Sequence, residues 1–260
     1  MDLRLDGKRV MVTGSSRGIG RAISTMFARE GCSVLVHGRD RPALEQAVED
    51  LRSLGVAADA VVGDLAHHEG LLAVEQRAAT WGTEILVNNA GPFAEHTWEN
   101  VDSSAWISAM DLNVLSAARI AQAVIPRMKD EHWGRIINIG SRAAVTALPN
   151  MVEYSAAKAA VVNMTISLAR HLGGTGITAN CVSPGVILSP GMREMFEKRA
   201  VSEGRDRSAW RDIAVAYAPN PSGRLGTSDD VARAVLFLSS PDSGYINGVN
   251  LKVDGGITGA

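Results

Sequence analysis

The chain lacks most of the features that mark specialised protein classes. Only two of its 260 residues are cysteine, Cys32 and Cys181, each inside an apolar run, and there is no Cys-x-x-Cys pair. That excludes a disulfide framework and offers no zinc or redox motif, so both read as buried, reduced thiols. No run approaches the roughly 18 uninterrupted apolar residues of a membrane span. The first residues, Met1 to Asp6, carry charges with no apolar stretch behind them, so no secretory signal is expected and a cytoplasmic location is the default. One-signed charge is lacking too: 26 basic against 28 acidic residues leave a formal net charge of −2, which points neither to nucleic acid nor to a membrane surface. There is no low-complexity tract and no linker. What is present, 46% hydrophobic and 21% charged residues, suits one large folded domain, expected to span 1–260.

Short apolar runs alternate with helical patterns almost to the end. Strands are expected at 9–12, 33–36, 58–62, 84–87, 135–139 and 177–182, with a seventh in the tail at 248–253. Between them, apolar residues recur at helical spacing: Ile19, Ile23, Met26 and Phe27; Leu44, Val48 and Leu51; and over 71–79, 103–128 and 152–172. Near-continuous apolar strands separated by helices predict an α/β fold, a doubly wound parallel sheet of about seven strands covered on both faces. The stretch 189–222 breaks the rhythm. It is polar and mixed, with Met192, Phe196, Trp210, Ile213 and Tyr217 scattered through it, and reads as a helical flap before the next helix.

Thr13-Gly14-Ser15-Ser16-Arg17-Gly18-Ile19-Gly20 joins the first strand to the first helix. Its glycines suit a tight turn and close backbone approach, and the helix N-terminus beyond offers free N–H groups and a positive dipole end. Strand, glycine turn and helix together predict a pyrophosphate site, hence a dinucleotide.

The spacing is Thr-Gly-x-x-x-Gly-x-Gly rather than Gly-x-Gly-x-x-Gly, and in this the chain resembles the short-chain dehydrogenase/reductase family. The resemblance continues through Asn88-Asn89-Ala90-Gly91, the set Asn113, Ser141, Tyr154 and Lys158, Pro184-Gly185, and Asp254-Gly255-Gly256. It implies a Rossmann-like domain and hydride transfer between a nicotinamide and a carbonyl or alcohol carbon. It further implies cofactor contacts from Gly14, Ser16, Arg17, Gly18, Ile19 and Gly20. Asp64 and Leu65 are implied beside the adenine, and Asn89 in the sheet-stabilising signature. Pro184, Gly185, the Ile187 backbone and the Ser189 hydroxyl are implied at the nicotinamide. Ser189 stands where the family usually has threonine.

The second strand ends Val36-His37-Gly38-Arg39. An acidic residue there would bind the ribose hydroxyls of NAD; Gly38 is neutral, and Arg39 and Arg17 can approach a 2′-phosphate from two sides. NADP(H) is therefore expected over NAD(H), with Asp40 the one residue that argues the other way. His67, His68 and Glu69 do not suggest a metal, since adjacent histidines on a helix point apart.

Tyr154 and Lys158, four residues apart on a helix, lie on one face. A free phenol titrates near pH ~10, and a neighbouring ammonium is expected to draw it down toward general acid/base range. The resemblance implies that Tyr154 exchanges the proton with the substrate oxygen and that Ser141 orients that oxygen. Lys158 also holds the nicotinamide ribose, and Asn113 holds a water leading to solvent. Arg142, directly after Ser141, either points away or attracts an anionic substrate group.

The expected activity is an NADP(H)-dependent oxidoreductase acting on a small carbonyl or alcohol. The alternatives are a 3-oxoacyl-carrier-protein reductase and a catalytically idle dinucleotide sensor on the same fold. The flap mixes Arg193, Lys198, Arg199, Arg205, Arg207 and Arg211 with Glu194, Glu197, Glu203, Asp206 and Asp212, which disfavours an acidic carrier. The helix 152–172 has small or apolar residues around most of its circumference, so a homo-oligomer, a dimer or tetramer through long helices, is expected.

Overall fold

The computed structural model describes residues 2–259; Met1 and Ala260, the ends of the expected domain, lie outside the described residues. Strands and helices alternate as β1 (Arg9–Val12), α1 (Gly18–Arg29), β2 (Ser33–Gly38), α2 (Arg41–Arg52), β3 (Ala58–Val62), α3 (His68–Trp81) and β4 (Ile85–Asn88). The second half runs α4 (Ser103–Met110), a π turn (Asp111–Leu115), α5 (Ser116–Asp130), β5 (Gly134–Ile139), α6 (Val152–His171), β6 (Ile177–Pro184), α7 (Pro190–Ser202), α8 (Trp210–Tyr217), α9 (Ser228–Ser239) and β7 (Asn250–Val253).

The strands form one parallel sheet in the order β3-β2-β1-β4-β5-β6-β7. Period-two alternation divides its side chains between two cores. Val10, Val12, Val34, Val36, Ile85, Val87, Ile137 and Ile139 face one way, packed with Ile23 and Phe27 of α1 and Val231 and Val235 of α9. Met11, Leu35, Leu86 and Ile136 face the other way, against Val74 of α3, Ile120 and Val124 of α5, and Ala169 of α6. Because both faces are covered, the strands read as continuous apolar runs. The order reverses at β1, whose neighbours are β2 and β4, and in open α/β sheets the ligand crevice lies at the carboxyl ends of the strands at such a reversal.

The differences from expectation are local. The helix expected at 103–128 contains a π turn in its middle, with Asn113 inside it. The sixth strand extends two residues further, to Pro184, and the seventh begins at Asn250 because Gly248 takes a positive φ of 74°. The segment after Ser189 is helical, as α7 and α8, with a small core of its own around Phe196, Ala200, Ile213 and Ala214.

Candidate active site

At the end of β1 the chain must turn under tight constraint. Gly14 has φ 61°, and a Cβ there would stand 3.0 Å from Ala90 Cα. At Gly20 a Cβ would stand 2.4 Å from the Gly14 carbonyl oxygen, so only glycine lets α1 pack so closely on the loop. The loop is then pinned by side chains. Thr13 Oγ1 accepts from the N–H groups of Asn89 and Ala90, both at 2.9 Å, while Asn89 Nδ2 donates to the carbonyls of Thr13 (2.9 Å) and Gly14 (3.0 Å). Ser15 Oγ donates to Val12 O at 2.7 Å, and Ser16 faces Gly38 across the crevice mouth. Behind the loop, α1 starts at Gly18 with no side-chain cap and no acidic residue in its first turn. Its leading N–H groups and positive dipole end are thus left for an anion. Ile19 is half-buried against the core.

His37 also belongs to this site, and the sequence reading passed over it. It is buried on β2; Nδ1 accepts from Gly14 N–H at 3.1 Å and Nε2 lies 3.0 Å from Gly63 O. Gly14 N can only donate and Gly63 O can only accept, so the ring is neutral with its proton on Nε2. Burial pushes its pKa down to about 4. The Gly14 peptide is thereby held at its N–H by His37 and at its C=O by Asn89. The only signal in the sequence was a histidine inside an otherwise apolar strand.

Arg17 and Arg39 are both exposed at this end of the sheet. Arg39 Nη1 lies 3.4 Å from Asp64 Oδ2. The Ala66 N–H and then Arg39 hold the Asp64 carboxyl below its usual range. Leu65 beside it is buried. Asp40 is occupied as the N-cap of α2, accepting from Ala43 N at 3.2 Å.

Beneath the sheet, Asn88 of the Asn-Asn-Ala-Gly signature donates to Asn138 Oδ1 at 2.9 Å, and Asn138 donates to Thr165 Oγ1 at 2.9 Å. This buried chain ties β4, β5 and α6 together. Ser141 follows β5, its Oγ accepting from Ala143 N at 3.1 Å. Tyr154 lies in the first turn of α6, half-buried, with the Phe93 ring edge-on at 6.0 Å. Lys158, one turn on, is buried; Nζ donates to Ile139 O at 2.8 Å and lies 5.6 Å from the Tyr154 ring centroid. Burial lowers Lys158 to about 8, so it remains mostly an ammonium at neutral pH.

The Tyr154 phenol runs against expectation. Its pKa is raised, because burial outweighs the lowering by a hydrogen bond with Ser141. Withdrawing the phenol from water disfavours the phenolate more than its neighbours favour it.

The π turn explains how a helix accommodates Asn113. Asn113 Nδ2 donates to Ala109 O at 3.0 Å and to Pro92 O at 3.3 Å, while Oδ1 is buried with no protein partner. A Cβ on Gly91 would stand 2.4 Å from Asn113 Oδ1 and 3.2 Å from Lys158 Nζ. The glycine therefore opens a space into which an unpaired acceptor and an ammonium both project. Interruptions of this kind inside helices recur at functional sites.

On the far wall, β6 ends at Pro184, and Gly185 N donates to Val253 O at 3.0 Å. A Cβ on Gly185 would stand 2.7 Å from Asp254 Cα. Ile187 bridges to Gly226. The Ser189 hydroxyl accepts from Met192 N at 3.2 Å, which makes it the N-cap of α7. Arg142 is half-buried and, among the described residues, is the one arginine not fully exposed that has neither a hydrogen-bond nor an ion-pair partner for its side chain.

A family model described as enoyl-(acyl carrier protein) reductase matches residues 14–258. The chain is 33% identical over 259 residues to an uncharacterised oxidoreductase, YvrD, of Bacillus subtilis, covering 99% of this chain and 98% of that one. It is 35% identical over 254 residues to the 3-oxoacyl-[acyl-carrier-protein] reductase FabG of Haemophilus influenzae, covering 97% and 99%. Among solved structures, L-sorbose reductase from Gluconobacter frateurii, complexed with NADPH and L-sorbose, superposes with a TM-score of 0.91 at 32% identity, covering 100% of both chains. Sheet order, glycine turn and whole-length similarity agree: the chain belongs to the short-chain dehydrogenase/reductase family of oxidoreductases.

Proposed function

We propose that this oxidoreductase uses NADP(H) to interconvert a small carbonyl compound and its secondary alcohol, with Tyr154 as the general acid/base. The observation that carries the reading is the meeting of Asn113 Oδ1 and the Lys158 ammonium over Gly91, one helical turn from Tyr154. A buried acceptor with no protein donor and an ammonium with one carbonyl partner suit a water between them, and with it a proton path to Tyr154.

Two features suit a dinucleotide: the uncapped start of α1 and the glycine turn at Gly14. When bound, it would supply or accept the hydride. Gly14, Ser16, Gly18, Ile19 and Gly20 would cradle the pyrophosphate, with Asp64 and Leu65 at the adenine. Pro184, Gly185, Ile187 and Ser189 would lie along the nicotinamide end. Arg17 and Arg39 would take a 2′-phosphate, while the Asp40 carboxylate caps the start of α2. The NADPH complex of L-sorbose reductase, and the NADP bound by a putative gluconate 5-dehydrogenase from Beutenbergia cavernae at 33% identity, support that choice.

Ser141 would hydrogen-bond the substrate oxygen, and Tyr154 would give it a proton during reduction. A raised phenol pKa keeps that proton in place at neutral pH, which suits the reductive direction. Tyr154→Phe is expected to lower ketone-dependent NADPH oxidation roughly 100- to 10,000-fold while leaving NADPH binding within about twofold. Near-wild-type turnover would refute the assignment.

A small substrate is favoured over an acidic carrier protein. The flap arginines are engaged locally: Arg193 and Arg207 with Glu197, Arg199 with Glu203, and Arg205 with Asp212. The exposed faces of α4 and α6, with Ile107, Met110, Ala156 and Ala159, support a homodimer or homotetramer built through these helices. A single active monomer in sedimentation at micromolar concentration would refute that assembly. Among the described residues no helix is long and apolar enough to cross a membrane, and we place the enzyme in the cytoplasm; fractionation of cells would test it.

A further inference from the structure

Glu153 directly precedes the proposed acid/base, and nothing in the reaction above uses it. It shares a face of α6 with Ala157 and Val161, four and eight residues on and both buried, so it points into the fold. Its side chain is 3% exposed. One carboxylate oxygen, Oε1, lies 2.5 Å from His96 Nδ1; the other, Oε2, is buried with no partner. His96 is therefore the only side chain among the described residues that meets this carboxylate. A buried carboxylate is tolerated only while a donor compensates it.

His96 belongs to the segment 91–102, which joins β4 to α4. Two further contacts fasten the same segment to the same turn of α6. The backbones of His96 and Met151 form an isolated parallel bridge, with Val152 N donating to His96 O at 3.4 Å. Three residues before His96, Phe93 sets its ring edge-on to Tyr154 at 6.0 Å while remaining 64% exposed. One side-chain pair, one backbone bridge and one aromatic contact thus bind the segment to Met151, Val152, Glu153 and Tyr154.

We propose that His96 and Glu153 are a positioning pair: they latch the 91–102 segment to the turn that carries Tyr154 and so set Phe93 as a wall of the substrate subsite. The inference rests on the oxidoreductase reading for its kinetic consequence, but the latch itself does not. The wall it fixes is an aromatic edge beside the reacting oxygen, which favours a substrate with an apolar group next to its carbonyl. Among the described residues, no side-chain hydrogen bond links His96 or Glu153 to the glycine turn.

Three proteins decide the matter: wild type, His96→Ala and His96→Asn, the last keeping an N–H donor near the position of Nδ1. The first arm is hydrogen exchange in the ligand-free proteins, read at the Val152 amide and between Phe93 and His96. Exchange there is expected to quicken in His96→Ala and to return toward wild type in His96→Asn. Unchanged exchange in His96→Ala would overturn the latch whether or not the protein turns over any ketone. The second arm is steady-state kinetics with an aryl or alkyl ketone that the wild type reduces. Misplacement of the wall is expected to lower kcat/KM for the ketone about 10- to 100-fold in His96→Ala, mostly through KM. NADPH affinity, read by its fluorescence, is expected to stay within about twofold, with kinetic rescue in His96→Asn. Loosened exchange with unchanged ketone kinetics would overturn the positioning role. Equal loss of ketone and NADPH affinity would do the same, since it is the sign of general unfolding. A wild type inert toward every ketone would instead defeat the oxidoreductase reading, leaving the exchange arm to judge the latch alone.

Discussion

The two ends of the crevice are held by different physics. On the glycine-turn side, Thr13, Asn89, Ser15 and His37 lock the backbone with short hydrogen bonds that are buried or partly buried. On the flap side, α7 and α8 meet through a small apolar cluster, with ion pairs running along α7 itself, among them Arg193–Glu197, Lys198–Glu194 and Arg199–Glu203, and one from Arg205 to Asp212 of α8. Buried hydrogen bonds leave orphaned groups when one partner is lost, so they resist change. Exposed ion pairs are screened and exchange freely with water, so they hold little. The comparison teaches that one wall is locked by bonds whose loss strands a polar group, while the other is tied down by contacts that are individually weak.

The sharpest way to break the rigid wall is through His37. Folded, the ring is held neutral with a pKa near about 4; in an unfolded chain a histidine titrates at 6.5. The unfolded state therefore takes up the proton first. The stability that depends on a neutral His37 is complete above about pH 6.5 and is lost as pH falls toward about 4. The difference corresponds to about 3 kcal/mol across that window. Urea unfolding at pH 7 and at pH 4.5 measures it, with His37→Asn as the control that removes the titration. If the two proteins lose stability in parallel over this range, the buried neutral histidine is not what fixes the turn.

A smaller effect is expected at the mouth of the same wall. Arg39→Ala should raise the KM for NADPH about 10- to 100-fold more than that for NADH, the worth of a charge-assisted hydrogen bond. A wild-type preference for NADH would contradict the reading of Gly38 and Arg39. The least effect belongs to the flap. Glu197→Gln loosens two arginines at once, yet its urea midpoint is expected to differ from wild type far less than that of His37→Asn at pH 7. Limited proteolysis within 190–217 should nonetheless quicken. A large loss of stability in Glu197→Gln would show that the flap is as rigid as the glycine turn and would erase the contrast.

Much of this was legible in the sequence because the signals are local. The strands announced themselves as apolar runs, since a parallel sheet covered on both faces buries every position. The loop from Thr13 to Gly20 was legible because its glycines answer a steric demand within eight residues. The π turn was not, because Asp111 to Leu115 carries the same helical spacing as its neighbours, and the widening is set by where the Asn113 amide finds Ala109 O and Pro92 O. The direction of the Tyr154 shift was missed for a related reason: sequence spacing reveals the nearby lysine but not how deeply the phenol is buried.

By itself, then, the sequence determined the parallel sheet and the glycine turn, which follow from short-range periodicity and steric limits, while Ser141, Tyr154 and Lys158 stood out through the family resemblance. Only the tertiary structure decided that His37 grips Gly14 from 23 residues away, and that His96 meets Glu153 from 57 away. It also decided that the space over Gly91 joins Asn113 to Lys158. Those meetings depend on which strands lie side by side and which loop falls on which helix. Folding fixes such distances by burying whole faces at once, and no local pattern in the chain encodes them.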